Sequence, residues 1–276
     1  MVRTPEQLRE HYEVEKELAQ RLKTAPAAER KYLYPVVYQE LYRRVPHHPR
    51  NQRKYDPAKT VAQVSEKMSF LRRFLKAETT YLEIGAGDCS LTMQVAKLVK
   101  KAYAFDVAYQ LREGVEQPSN FELIIMPDGC QIPLGDGVVD LAYSNQLMEH
   151  IHPDDAVEQL QHIFRVLRPG GQYICITPNK AAGPQDVSRH FDETATCFHL
   201  MEYRMKQLAE VLERAGFRDL KAYSGIRGNH LGVPMGAVDM LEGLMLSLPY
   251  RMRWPLANGP VIGSLLSLTL VGQKPL

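Results

Sequence analysis

The segment Glu83-Ile84-Gly85-Ala86-Gly87 has residue types and a spacing that suit ligand binding at a chain turn. It lies between an apolar run typical of a β-strand and a run typical of a helix. Two glycines at such a junction let the chain turn sharply and let its backbone approach a ligand closely. NAD and FAD proteins also use glycine-rich turns, but the third glycine of their fingerprint is absent because position 90 is Ser90. The turn therefore argues against a nicotinamide dinucleotide.

Acidic residues stand at or beside the ends of three successive predicted strands. Glu83 lies two residues before the first glycine, where it would repel a pyrophosphate and attract an ammonium group. Asp106 lies nineteen residues after Gly87, where a carboxylate at a strand end can bind both ribose hydroxyls. Asp128 follows the third strand, where a carboxylate can accept a hydrogen bond from the exocyclic amine of adenine. Each alone reads as an ordinary cap or turn residue, but the three together form a far more specific pattern.

These segments resemble the motifs of class I S-adenosylmethionine-dependent methyltransferases, and the chain is similar to their type 11-like members. The matching segments are Tyr81–Cys89, Asp106, Pro127–Leu134, Asp140–Ser144, Leu147–Ile151 and Val166–Gly171. The resemblance covers residues 79–223, with Leu265–Val271 as the antiparallel last strand of the family. It implies S-adenosyl-L-methionine as the cofactor, with its amino group on Glu83, its ribose on Asp106 and its adenine on Asp128.

The same resemblance implies a wider donor site. Its cofactor-binding residues would be Glu83, Gly85, Gly87, Asp106, Val107, Asp128, Gly129 and Asn145. Gln146 would flank the transferable methyl group together with Asn145 and would contact the acceptor. This set is specific for the donor and says almost nothing about the acceptor.

Catalysis would require mainly that a nucleophile be aligned with the sulfur–methyl bond, since the sulfonium is already activated. A general base is needed only if the acceptor must lose a proton. His150 is the first candidate, because it follows the fourth strand beside the donor site; a structural hydrogen bond is the alternative. Some quinone and small-RNA methyltransferases bind a metal through a similar Glu…Glu-His pattern. Here Gln146 replaces the first Glu, so no metal is predicted.

A long polar loop, residues 178–200, follows the fifth predicted strand. Substrate sites in open α/β sheets lie along the carboxyl edge of the strands, where this loop begins. Arg189 and His190 are predicted to bind the acceptor, and His190 is a second candidate for catalysis. The alternative is a solvated surface loop.

The predicted elements alternate between strands and helices from residue 79 onward. The strands are Thr80–Ile84, Ala102–Val107, Phe121–Met126, Val138–Ser144, Gln172–Thr177, Asp219–Tyr223 and Leu265–Val271, and the helices Ser90–Lys100, Tyr109–Val115, Pro153–Leu167 and Met201–Ala215. Such alternation predicts a parallel, doubly wound sheet. The predicted fold class is therefore α/β, with a seven-stranded, mostly parallel Rossmann-like sheet and an antiparallel last strand.

Two segments lie outside this alternation. Residues 1–58 are predicted to form a helical N-terminal arm or lid, and residues 59–276 the S-adenosylmethionine-binding domain with an insertion, 225–263, between its last two strands. In the arm, the stripe of Tyr34, Tyr38 and Tyr42, together with His47, could close over the acceptor or could simply pack on the core. The apolar helix Met235–Leu248 and the Arg and Trp residues after it make peripheral membrane contact through 235–254 an alternative to core packing or a dimer surface.

Composition narrows the class of protein. Apolar residues make up 45% and charged residues 24%, which is typical of a soluble globular chain. The net charge of +2 does not favour nucleic acid as a partner, although residues 1–60 hold thirteen basic against eight acidic residues. The four cysteines include no CxxC pair, so neither a disulfide framework nor a zinc site is expected. Without a signal pattern or a spanning segment, the expected location is the cytoplasm.

The predicted function is methyl transfer from S-adenosylmethionine to a small-molecule acceptor, with a hydroxyl of a sugar or another metabolite favoured. Three alternatives remain open at this point: a lipid-like acceptor reached through 235–254, an RNA or protein acceptor held by the basic arm, and a donor-binding module without catalysis. A nicotinamide dehydrogenase is the most distant alternative. The sequence leaves the oligomeric state undefined.

Overall fold

One mixed β-sheet organises the chain in a computed structural model that describes residues 3–51, 57–112, 114–126, 131–226 and 229–276. Its strands are β1 (Thr80–Ile84), β2 (Lys101–Asp106), β3 (Phe121–Ile125), β4 (Val139–Asn145), β5 (Leu167–Thr177), β6 (Arg218–Ile226), β7 (Asn229–Val233) and β8 (Leu268–Gln273). The helices are α1 (Pro5–Thr24), α2 (Ala27–Arg44), α3 (Pro57–Leu71), α4 (Ser90–Ala96), α5 (Pro153–Val166), α6 (Met205–Arg214), α7 (Met235–Leu246), α8 (Tyr250–Ala257) and α9 (Ile262–Leu265).

The strand order is β3-β2-β1-β4-β5-β8-β6-β7. Neighbouring strands from β3 to β5 are parallel, whereas β8 is antiparallel to both β5 and β6, and β7 is antiparallel to β6. The α/β class, the mostly parallel sheet and the antiparallel last strand are thus confirmed. The sheet has eight strands rather than seven, because part of the 225–263 segment forms β7 at its edge.

Successive side chains of the central strands point to opposite faces of the sheet and are buried on both. On β4, Leu141 and Tyr143 face one apolar cluster with α3 and α4, while Ala142 between them faces a second cluster with α5 and α6. On β1, Tyr81 and Leu82 divide in the same way. Because both faces are covered, these strands read as nearly continuous apolar runs. The sheet is therefore rigid where its carboxyl edge must position side chains.

Several predicted elements differ from the structure. Helix α6 and strand β8 begin four and three residues after their predicted starts at Met201 and Leu265, and α4 ends four residues before its predicted end at Lys100. The helix predicted over Tyr109–Val115 is wrong, since none of its described residues is helical. The chain instead bends directly after β2, where Asp106 Oδ1 accepts a hydrogen bond from the Ala108 amide at 3.1 Å. Strand β5 begins at Leu167, five residues before its predicted start, because Leu167 pairs with Val139 ahead of an irregularity in the ladder.

The N-terminal helices α1 and α2 pack on each other and on the 178–200 loop. Leu18, Leu22 and Leu41 are buried in an apolar cluster that also contains Phe198 of that loop. A capping box starts α1, with Thr4 Oγ1 accepting from the Gln7 amide. A second anchor is ionic. Arg30 binds both carboxylate oxygens of Asp155, at the start of α5, at 2.7 Å each.

Candidate functional site

The glycine turn has the backbone geometry that its sequence predicts. Gly85 and Gly87 have φ angles of 74° and 56°, in the left-handed region that favours glycine. The amides of Gly85 and Ala86 donate to the carbonyl of Phe105, at 2.8 and 3.2 Å, which ties the turn to β2. A Cβ atom at Gly85 would lie 3.3 Å from Leu147 Cδ1. The turn therefore lies close to the segment that follows β4.

Asp106 joins the end of β2 to this turn. Its Oδ2 accepts from the Gly87 amide at 2.8 Å, and its Oδ1 accepts from the Ala108 amide. The carboxylate is 7% exposed. Oδ1 also accepts a long hydrogen bond, 3.5 Å, from the side chain of Gln110. A carboxylate can accept about four hydrogen bonds, so Oδ2 keeps capacity for a ligand hydroxyl, and Oδ1 gains it if the long bond to Gln110 is given up.

Glu83 is buried at the carboxyl end of β1. Its Oε2 accepts a hydrogen bond from the hydroxyl of Thr92 on α4, and no ion pair to it is formed within the described residues. Burial raises the pKa of Glu83 to about 7, although the Thr92 hydrogen bond and the charge of Lys67 act in the opposite direction. A buried carboxyl group with a raised pKa and no cation bound to it is suited to receive one from a ligand.

Of the other residues predicted to lie around the donor, some are described by the structure and two are not. Asn145 ends β4 and pairs with Ile176, and Gln146 follows with a φ of 57° and its amide donating to the Ile176 carbonyl at 2.8 Å. Val107 directly follows Asp106 and is partly buried. Asp128 and Gly129 lie outside the described residues, so their predicted contacts with adenine stay predictions.

His150 lies at the end of a short 3-10 turn, Met148–His150. Its Nδ1 is 3.0 Å from the carbonyl oxygen of Phe198 and 3.0 Å from the hydroxyl of Tyr38. A carbonyl only accepts, so Nδ1 carries the hydrogen and Nε2 keeps its lone pair. Burial lowers the pKa of His150, against the opposing charge of Glu149. The ring is thus neutral at pH 7, with a basic nitrogen left free.

His199 lies against His150, with ring centroids 5.1 Å apart. Its Nδ1 is 2.8 Å from Glu202 Oε1, and although burial opposes protonation, this hydrogen bond helps to raise the pKa of His199. Glu149 is fully buried beside both rings. The sequence singled out Glu149 and His150 but listed His199 only as part of a polar loop. The contact cannot be read from the sequence, because 48 residues separate the two histidines. The His199–Glu202 spacing is the one local signal that the ring is held in place.

Arg189 and His190 lie elsewhere on the loop. Both are exposed, and they line an open cavity of about 360 Å³ together with Tyr250, Arg251, Trp254 and Pro255. The hydroxyl of Tyr250 donates to the Arg189 carbonyl at 3.2 Å. His190 contacts Arg189 and Phe191, and no contact with His150 is formed within the described chain. The predicted acceptor-binding pair and the predicted base are therefore not brought together.

The 178–200 loop is held from two sides. From the arm, Glu15 Oε1 accepts from the Phe198 amide at 3.1 Å, one residue before His199. From the insertion, the fully buried Glu242 of α7 accepts from the Asn179 side chain at 2.7 Å. The path of the loop, and with it the position of His199, thus depends on both appended segments.

Comparison with known proteins agrees with this geometry. Residues 82–175 match the family described as methyltransferase domain. A probable S-adenosylmethionine-dependent methyltransferase of Mycolicibacterium smegmatis is 37% identical over 88 residues, a match that covers 32% of this chain. The matched region likewise spans 32% of the length of that relative.

Solved structures share the fold at low identity. The complex of the Haloferax volcanii Trm112 methyltransferase activator with a methyltransferase has a TM-score of 0.54 at 13% identity, and covers 80% of this chain and 95% of that chain. A Thermotoga maritima S-adenosylmethionine-dependent methyltransferase scores 0.51 at 13% identity, over 88% and 97%. A Haemonchus contortus phosphoethanolamine N-methyltransferase scores 0.52 at 15% identity, over 77% and 53%. The chain therefore shares the fold of these methyltransferases, and its residues 82–175 have the sequence pattern of a methyltransferase domain.

Proposed function

We propose that this chain transfers the methyl group of S-adenosyl-L-methionine to a small-molecule acceptor, with a hydroxyl as the favoured group. The observation that carries the proposal is the convergence of Asp106, the glycine turn and the buried Glu83 at one edge of the sheet. The 2.8 Å contact between Asp106 and Gly87 makes the turn and the acid a single unit. Glu83 adds a buried carboxyl group with no ion pair among the described residues.

In this proposal each donor residue takes one part of the cofactor. Glu83 accepts from the methionine ammonium group, and Asp106 accepts from the ribose hydroxyls. Val107, Asp128 and Gly129 contact the adenine side. Asn145 and Gln146 flank the methyl group, which is consistent with the close approach of the Leu147 side chain to the glycine turn.

A hydroxyl acceptor must lose a proton as the new oxygen–carbon bond forms, and in this proposal His150 Nε2 accepts it. The hydrogen bond from Nδ1 to the Phe198 carbonyl fixes the tautomer that leaves Nε2 free. A positioned base contributes typically about 10²–10⁴ in rate. Arg189 and His190 would bind a more distant part of the acceptor, in the cavity that they share with Tyr250 and Trp254.

Calorimetric titration with S-adenosylmethionine and with S-adenosylhomocysteine tests the donor site. We expect saturable binding to the full chain and a loss of at least about tenfold for Asp106→Ala, because two charge-assisted hydrogen bonds are removed. Asp136→Asn is the matched control, since that carboxylate is exposed and pairs with Arg165 away from the glycine turn. The proposal fails if neither compound binds, or if Asp106→Ala binds as well as the parent chain.

Catalysis needs a separate experiment. Metabolite pools incubated with radiolabelled donor should yield a labelled product and S-adenosylhomocysteine, and His150→Gln should slow its formation. Donor binding without any labelled product would favour the alternative, a donor-binding module without catalysis.

A lipid-like acceptor is the second candidate, favoured by apolar side chains that α7 and α8 expose. Met240 and Leu244 are 75% and 59% exposed and lie four residues apart on one face of α7, while Met252 of α8 is 55% exposed. Such a surface suits peripheral contact with a membrane through 235–254. None of the described helices is long and apolar enough to cross a membrane.

A further inference from the structure

We infer that Glu149, His150 and His199 form a binding site for a divalent transition-metal ion. One ligand atom from each residue lies within 4.8 Å of the other two. Glu149 Oε1 and His150 Nε2 are 3.9 Å apart, which is too long for a hydrogen bond. Three ligands about 2.1 Å from one tetrahedrally coordinated ion lie about 3.4 Å from one another, so Glu149 Oε1 and His150 Nε2 would approach by about half an ångström and no pair by more than about 1.4 Å.

The buried carboxylate supplies an independent observation. Glu149 is 0% exposed, and its Oε1 has no hydrogen-bond partner within the described part of the chain. A buried carboxylate oxygen without a partner costs free energy unless a cation or a donor reaches it. Its other oxygen, Oε2, accepts from the Thr177 hydroxyl at 2.8 Å. With Oε2 held in this way, Oε1 lies 3.9 Å from His150 Nε2.

Both imidazole rings are oriented in the way that metal ligands require. The Nδ1 of His199 binds the Glu202 carboxylate at 2.8 Å, and the Nδ1 of His150 binds the Phe198 carbonyl at 3.0 Å. A ligating histidine usually donates its second ring N–H to a carboxylate or a backbone carbonyl, which fixes the tautomer and raises the basicity of the ligand. Each ring thus keeps its Nε2 lone pair for an ion.

A second His–Glu–His group in the chain lacks these features. In the group of His11, Glu15 and His48, His11 binds Glu15 through Nε2 at 2.6 Å and Arg3 through Nδ1 at 2.7 Å. The remaining oxygen of Glu15 accepts from the Phe198 amide. Both ring nitrogens of His11 are occupied and a guanidinium lies beside it, so this group serves as an internal control.

The donor set indicates the kind of ion. Two imidazoles and one carboxylate suit Zn²⁺, Mn²⁺, Fe²⁺ or Co²⁺, whereas Mg²⁺ prefers oxygen ligands throughout. The absence of a carboxylate at Gln146, which argued against a metal at the level of sequence, therefore matters less, because His199 supplies the third ligand. Three protein ligands leave coordination positions open, as in catalytic metal sites.

The site goes beyond the function proposed above and does not rest on it, and it changes the role of one residue in that proposal. An ion held by His150 Nε2 would make that residue a ligand instead of the base. A divalent ion lowers the pKa of an oxygen bound to it, so it would assume the task of activating an acceptor hydroxyl. Metal binding itself needs neither donor nor acceptor and is measured without them.

The test is calorimetric titration of the tag-free, EDTA-treated full chain with Zn²⁺, followed by metal analysis after gel filtration. We expect one equivalent of bound Zn²⁺ that excess Mg²⁺ does not displace. His199→Gln and Glu149→Gln should each weaken binding at least about tenfold, since even loss of a residue that orients a ligand typically costs about 10–100-fold. His48→Gln should bind as the parent chain does.

The inference is overturned if no saturable binding of Zn²⁺ is found, or if His199→Gln binds with the parent affinity. Glu149 is buried, so a variant there could fail to fold, and circular dichroism is measured for each. Visible absorption of Co²⁺ bound to the unaltered chain provides a check that needs no variant. Absorption typical of nitrogen and oxygen ligands supports the site, and the spectrum of aqueous Co²⁺ alone contradicts it.

Discussion

The raised pKa of Glu83 makes donor affinity depend on pH. Binding an ammonium group requires the ionised carboxylate, and with a pKa of about 7 most of Glu83 is protonated at pH 5.5. Affinity for S-adenosylmethionine should therefore rise roughly tenfold between pH 5.5 and pH 7, a range over which the α-amino group of the donor stays protonated. Titration calorimetry at several pH values measures this dependence. A flat profile would show that Glu83 does not receive the ammonium group.

Glu83→Gln separates binding from stability. The pKa of Glu83 in the folded chain, about 7, lies above its ordinary value of 4.5, so stability is lost as pH rises from about 4.5 to 7 and stays lost above that. The amide oxygen can accept the same hydrogen bond from Thr92. We expect the variant to bind donor weakly at every pH and to gain about 1–3 kcal/mol in free energy of unfolding at pH 8. Urea denaturation at pH 8 and at pH 4.5 should show the gain only at pH 8.

At this scale, local spacing made some residues predictable and left others hidden. Glu83 and Asp106 could be read because each sits next to a strand end within its own short segment. His199 could not, since its meeting with His150 depends on the path of a long loop that other segments hold. The sequence also cannot show that Glu149 Oε1 lacks a hydrogen-bond partner, because this depends on how the side chain is buried in the folded chain.

At the scale of elements, Arg30 of α2 and Asp155 of α5 connect the arm to the sheet domain. Both side chains are buried, and the Tyr34 hydroxyl also donates to Asp155 at 2.9 Å. Arg30→Ala would leave a buried carboxylate without its cation, which costs about 3–5 kcal/mol. We expect a clearly lower urea midpoint and faster proteolysis within residues 1–51.

Arg44→Ala is the matched control on the same helix. Arg44 pairs with Glu17 and Glu40 at the surface, where such pairs contribute about 0–1 kcal/mol. Equal losses of stability for the two arginine variants would contradict the anchoring role of Arg30. If Arg30→Ala also changes turnover while donor affinity stays constant, the proposal that the arm acts as a lid over the acceptor gains support, since Tyr38 of α2 contacts His150.

Long apolar runs made most of the elements predictable, because strands covered on both faces leave a strong signal. Strand β7 has no such apolar pattern, because it is five residues long, contains Gly232 and leaves Leu231 54% exposed. It exists because β6 offers it a partner edge. Pairing of this kind depends on the neighbouring strand, so the strand count was one too low.

At the scale of the whole molecule, the exposed apolar face of the insertion predicts binding to lipid. The full chain should float with anionic vesicles, and Met240→Ser combined with Leu244→Ser should reduce its recovery several-fold. Val61→Ser on α3 is the control, because Val61 is 67% exposed but lies outside the insertion. Absence of flotation, or equal recovery of all three proteins, would remove the lipid-like candidate.

The loop of residues 178–200 is hydrogen-bonded at one end to Glu242 of the insertion and near the other end to Glu15 of the arm. Two residues 227 positions apart in the chain, Glu15 and Glu242, thus bind the same loop. On the proposal that this loop binds the acceptor, acceptor preference is a joint property of the arm, the loop and the insertion. A chimera that takes only the arm, or only the insertion, from a relative is then expected to misplace the loop. To change the acceptor, the arm, the 178–200 loop and the insertion would have to be exchanged together. The glycine turn and its acidic residues, which belong to the predicted donor site, could stay unchanged.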